Sequence, residues 1–270
     1  MANRPLDLDR FSFNLIFGIL AMLAILLLML PTFVVVTVSF TSSFSLRFPP
    51  PGYSFKWYLA LADAWQLQFA AWNSFKVALW TTLLSVVMGV AASLAIARSQ
   101  TWTARVLDNL FMSPLVLPAL AFGLSALMLF SLAGLPISPL TLVIGHTIVC
   151  VPYVVRTTVA ALAQLDTALL ESSASLGASR FYSFRRITLP LIRPGVLAGG
   201  FLAFMSSFDN VPVSLFLRDA RTDMLPIRMW QDLEGKLDVT IAAVSGVMIM
   251  LTILALIVME RTAGLSRRIR

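Results

Sequence analysis

Few side chains in this 270-residue sequence have both the type and the setting to do chemistry. Asp209 stands out, because it falls within an apolar stretch as Phe208-Asp-Asn-Val-Pro212. A carboxylate in hydrocarbon is costly unless it meets a cavity or a partner. Two readings follow. With Asn210 it draws a cationic solute along a pathway, or it is a helix-end carboxylate bonded to nearby backbone or to Asn210 ahead of a kink at Pro212. His146, the only histidine, lies beside Gly145 in a second apolar stretch. No other members of a proton relay are evident, so a packed, neutral histidine bonded across helices is expected. Ser245-Gly246 lacks the surroundings of an intramembrane serine nucleophile and reads as close packing. Cys150 is the only cysteine, which excludes an internal disulfide or a cysteine metal site. The pattern Gly-x-x-x-x-Gly-Lys-Ser/Thr is absent, so the chain holds no phosphate loop for a nucleotide. No catalytic residue and no metal ligand is expected.

The elements that must position these residues are membrane helices. Hydrophobic residues make up 59% of the chain and charged ones 12%, too few polar groups to clothe a soluble surface. The apolar runs far exceed a barrel strand of roughly 9–11 residues, so the fold class is all-α integral membrane. Six spans are expected, near 13–39, 73–96, 108–132, 137–160, 193–217 and 240–259. Pro114, Pro118, Pro136, Pro139 and Pro152 cut or flank the third and fourth, predicting kinked, packed helices there. The first apolar run is longer than the roughly 7–15 residues of a signal peptide and is expected to be a retained anchor. Asp209 lies sixteen residues beyond Arg193, roughly 24 Å along a helix, in the outer half of span five.

The chain carries a formal net charge of +7, and its distribution follows topology. Most Lys and Arg residues, among them Arg4, Arg98, Arg105, Arg156, Arg180, Arg185, Arg186, Arg267, Arg268 and Arg270, fall on one side of the expected spans. The positive-inside rule makes that side cytoplasmic, with both termini on it. The expected layout is a cytoplasmic segment at 1–12, one transmembrane domain at 13–260 and a basic cytoplasmic tail at 261–270. The basic tail is a topology signal, and no nucleic-acid partner is expected. On the opposite side, residues 41–72 carry Tyr53, Trp57, Tyr58, Trp65 and Trp72, an aromatic belt around a short interfacial helix. Residues 218–239 are the most charged external segment and either touch a soluble partner or are merely solvated.

One polar insert remains, Glu171-Ser-Ser-Ala-Ser-Leu-Gly177, with Ile187-Thr-Leu-Pro190 following. Leucines at helical spacing and small residues for close approach suit a helix that docks on another protein. Gly177 supplies a turn between two helical pieces, and Pro190 is expected to end the second and start span five. Glu171, Gly177, Ile187, Leu189 and Pro190 are spaced as in the cytoplasmic loop of permease subunits of binding-protein-dependent type I ABC importers, and the chain resembles that family. Ser172-Ser173 depart from the family's usual Ala-Ala. Asn73-Ser74, Met112-Ser-Pro114, Leu176-Gly-Ala-Ser179 and Leu225-Pro226 extend the likeness over most of 13–260. Phe40-Thr-Ser-Ser43, Lys56-Trp-Tyr58 and Leu225-Pro-Ile227 resemble the second permease of spermidine/putrescine systems.

The resemblance implies six transmembrane helices with a cytoplasmic coupling helix between spans four and five, formed around Glu171, Ser172, Ser173, Ala174 and Gly177, with Ile187, Leu189 and Pro190 following. It implies a homologous permease partner, two ATPase subunits, an external solute-binding protein and an inner-membrane location. ATP and magnesium would sit on the ATPase, with no cofactor on this chain. A polyamine is the expected cargo, or another small organic solute. Ion-coupled secondary transport and intramembrane proteolysis are the rival classes.

Overall fold

Backbone polar groups in lipid must bond internally, and this sequence satisfies them almost wholly with helices. The computed structural model describes residues 8–97, 99, 101–219, 221–236 and 238–263. Residues 1–7 and the tail from 264, with Arg4, Arg98, Arg267, Arg268 and Arg270, lie outside the described residues. The helices are α1 (Leu8–Ser39), α2 (Lys56–Ala60), α3 (Trp65–Ala97), α4 (Trp102–Val116), α5 (Ala119–Leu132), α6 (Pro139–Ala163), α7 (Thr167–Ser175), α8 (Arg180–Ser183), α9 (Leu189–Phe208), α10 (Val211–Leu217), α11 (Leu225–Lys236) and α12 (Thr240–Ala263). A π turn at Phe184–Thr188 joins α8 to α9. Five stretches are long and apolar enough to cross a membrane, and the α4–α5 pair makes a sixth if counted as one broken span.

That pair corrects the expected third span. α4 and α5 meet at 107°, so residues 108–132 are not one kinked helix. The break falls where Leu117 precedes Pro118; Leu117 is extended, at φ −73° and ψ 141°. Proline disfavours helical geometry in the residue before it, which stops α4 there. Pro114, Pro152 and Pro194 are instead carried inside helices.

The turn between α5 and α6 follows the expected chemistry. Gly134 has φ +67°, its N–H donates to Ser131, and the Leu135 N–H donates back to Phe130 at 2.8 Å. This is a Schellman stop, which needs a left-handed residue. α6 then starts from a capping box in which Ser138 and Thr141 bond one another reciprocally, with Pro139 in the first helical position.

The chain divides into two compact units. In the one containing α1, α2 and the first part of α12, residues 13–33 of α1 are exposed throughout. The Ser39 and Tyr58 hydroxyls bond at 2.7 Å, and Gly246 of α12 leaves room for both, since a Cβ there would crowd the Tyr58 hydroxyl. Ser245, half-buried, lines an apolar groove beside it. In the aromatic belt, the Lys56 ammonium lies 3.8 Å from the Phe44 ring centre and 4.8 Å from that of Trp57, and donates to the Ser42 carbonyl at 2.6 Å.

The other unit is built on mutual packing of α3, α6 and α9. Small residues set the helix spacing, as is usual in lipid. A Cβ on Gly89 would stand 2.7 Å from the Val154 Cβ, and one on Gly195 only 2.6 Å from the Thr157 carbonyl. Ser93 bonds the Val155 carbonyl across this seam at 3.3 Å. α10 packs on α5 and α6, with Val213 and Leu217 fully buried.

Candidate functional site

The Glu171 insert forms α7, and local sequence explains both of its ends. The Asp166 carboxylate accepts from the Ala168 N–H at 2.9 Å and caps the start. At the other end Gly177 has φ +78°; its N–H donates to Ala174 at 2.9 Å, and the Ala178 N–H donates to Ser173 at 3.1 Å. Ser179 then caps α8 by accepting from Tyr182 at 3.2 Å. Two short helices are thereby folded against each other. The Ser173 hydroxyl closes the pair with a buried 2.6 Å bond to the hydroxyl of Ser183.

The expected break at Pro190 is not found. α8, the π turn and α9 run continuously from Arg180 to Phe208. Pro190 has no N–H, and its ring would crowd the carbonyl four residues back in a regular helix. The π turn admits an extra residue: the Leu189 N–H reaches Phe184, five residues back. The loop therefore runs without a helix break into the following span.

Ser172, Ser173, Gly177 and Ile187 line one concavity of about 780 Å³, together with Tyr182 and Arg186. Glu171 and Ser172 line an adjoining recess of about 520 Å³ beside Leu176. Ala174 is exposed on α7 outside both, and Leu189 and Pro190 sit on the first turn of α9. Leu176 and Phe181, 88% and 71% exposed, are apolar groups left uncovered at the helix junction. Asp166, Ser183, Tyr182 and Phe181 were missed by the sequence pattern. Asp166 carried a readable signal as an N-cap residue ahead of a helix.

Asp209 lies at the C-terminal end of α9, where the helix stops and α10 begins two residues later. It is exposed, and no described residue gives its carboxylate a hydrogen bond or ion pair. Its helix-end place was anticipated, but the bond to backbone or Asn210 is not made. The Asn210 side chain is occupied instead as the cap of α10, accepting from Val213 at 3.0 Å. His146, fully buried, fixes this elbow from α6. Its Nδ1 lies 2.9 Å from the Ser207 hydroxyl and its Nε2 3.0 Å from that of Ser214, one serine on each side of the break. This is the cross-helix bonding expected of His146. Both ring nitrogens are occupied in a closed site, so a proteolytic role finds no support.

Asn73 and Ser74 find their purpose here too. The Asn73 side chain donates to the Asp223 carbonyl at 3.2 Å, and the Ser74 hydroxyl accepts from the Leu225 N–H at 2.9 Å. Together with the 3.1 Å pair of Arg218 and Asp223, they pin the charged segment to the start of α3. Among the described residues no group of His, Cys, Asp and Glu side chains could hold a metal.

Residues 85–270 match the family described as binding-protein-dependent transport system inner membrane component. The chain is 28% identical over 237 residues to the spermidine/putrescine transport system permease protein PotC of Escherichia coli, covering 87% of this chain and 89% of that one. It is 36% identical over 170 residues to a probable molybdenum ABC transporter permease protein of Haloferax volcanii, covering 60% and 62%. Among solved structures, a chain of a bacterial alginate ABC transporter aligns over 97% of this chain and 96% of its own, with TM-score 0.72 and 17% identity. A chain of an inward-facing methionine ABC transporter aligns over 75% and 97%, with TM-score 0.61 and 18% identity. The chain belongs to the family of binding-protein-dependent transport system inner membrane components, the permease subunits of type I ABC importers.

Proposed function

We propose that the chain carries a polyamine across the inner membrane by alternating access, as one of a pair of homologous permeases. The motor would be two ATPase subunits holding ATP and magnesium, docked on α7 and α8 at a cytoplasmic face, with both chain termini on that face. Cargo would arrive on an external solute-binding protein. The chain itself would break no bonds; motor closure would move the α7–α8 pair, and the continuous helix from Arg180 to Phe208 would carry that motion to the elbow at Asp209.

The observation that carries the choice of cargo is the exposed carboxylate of Asp209, for which no described residue supplies a partner. It favours a cation over an anion such as the acidic polysaccharide named for the alginate transporter. The coverage of the spermidine/putrescine permease supports the same reading, as does a 29% identity over 216 residues to the putrescine transport system permease PotI of Escherichia coli.

The test is ATPase activity of the complex reconstituted with its binding protein and offered spermidine, putrescine, molybdate or a neutral sugar. Stimulation by the amines alone is expected, and Asp209→Asn should cut amine uptake about 10- to 150-fold, the range of a charge-assisted hydrogen bond. Stimulation by molybdate and not by amines would replace this reading.

A further inference from the structure

Four aromatic side chains form an unbroken run of ring contacts that leads to Asp209. Trp72 stacks on Phe75 at 5.6 Å, Phe75 meets Phe204 edge-on at 5.9 Å, and Phe204 stacks on Phe208 at 6.0 Å. The run crosses from α3 to α9 and ends one residue before the elbow. Core packing does not account for it, because Trp72 and Phe75 are 58% and 40% exposed. A lipid-facing belt would account for the rings but assigns no role to the Asp209 carboxylate, for which no described residue supplies a partner. The run ends at Phe208, where the C-terminal end of α9 and the neighbouring Asp209 both contribute negative potential.

The same chain already holds a primary ammonium by this chemistry. Lys56 is kept by the rings of Phe44 and Trp57 and by one carbonyl oxygen. The aromatic run offers the same elements without a resident cation, since Lys76 on the same stretch of α3 makes no ring contact among the described residues. We propose that Trp72, Phe75, Phe204 and Phe208 form a track for the ammonium groups of a flexible polyamine, with Asp209 holding one end. The centroid spacings of 5.6, 5.9 and 6.0 Å are comparable to the separation of neighbouring ammonium groups in such a chain, so the cargo could pass from ring to ring without being held tightly at any one. This rests on the amine reading of the cargo.

The test is spermidine binding to the vanadate-trapped permease–ATPase complex in nanodiscs. Trp72→Leu and Phe204→Leu keep apolar bulk and remove the ring faces; each is expected to raise Kd by ~2- to 30-fold, the range of one cation–π contact. Phe204→Tyr should restore wild-type binding. Unchanged Kd in both leucine variants, with spermidine still stimulating the ATPase, would overturn the track and leave the proposed function standing. A wild-type complex that spermidine neither binds nor stimulates would overturn the amine reading, and the cation track with it.

Discussion

Gly177 shows how one residue sets the geometry of the proposed docking face. Its φ of +78° is what a Schellman stop requires, and a Cβ added there would meet no atom within 4 Å. The cost of substitution is therefore backbone strain, roughly 1–2 kcal/mol for an ordinary side chain. Gly177→Asn should keep the turn and ATPase co-purification, because asparagine tolerates this conformation. Gly177→Val should lose both. Gly177→Asp tolerates the turn but places a charge between Leu176 and the partner, so it should abolish association while membrane insertion stays intact. Co-purification of the valine variant at wild-type levels would remove Gly177 from the docking assignment. This glycine was legible in the sequence because its requirement is local. Ser173 was not: as a departure from Ala-Ala it looked like a neutral exchange, and only folding brings its hydroxyl to Ser183, ten residues on.

Among the elements, the continuous helix from α8 into α9 was the least legible. A proline announces that a carbonyl has lost its donor, but not how the chain will accommodate it. At Pro118 the helix stops; at Pro190 a π turn takes up the extra residue. The turn leaves a mark, since the buried Thr188 hydroxyl has no partner. A buried hydroxyl without a bond costs about 1–3 kcal/mol. Thr188→Val, equal in shape, should raise or preserve the thermal midpoint of the purified complex. Deleting Arg185 removes the residue that the π turn takes up and sets the Pro190 ring against the carbonyl four residues back, so the joint between α8 and α9 should be distorted. Hydrolysis should then continue while uptake falls. Uptake coupled as in wild type after the deletion would show that the register of this joint is irrelevant.

For the whole molecule the decisive question is which way it faces. Lys and Arg placement predicts that the Glu171 loop and the segment at 218–239 lie on opposite sides of the membrane. Composition made the membrane class and most spans readable, because hydrocarbon leaves few alternatives to a helix. It could not say whether α4 and α5 cross together, since the angle at a proline depends on what packs against it. Orientation can be measured on the natural background, because Cys150 is fully buried in α6 and silent to impermeant maleimides. Ser175→Cys and Arg221→Cys both place a thiol at an exposed position. In intact spheroplasts only the residue-221 thiol should react, and the residue-175 thiol should react once the membrane is opened. Adding the ATPase to inside-out vesicles should protect residue 175 alone, because α7 would then be covered. The reverse labelling pattern would put α7 on the outer face, out of reach of any nucleotide-driven motor, and the energy for transport would have to enter elsewhere.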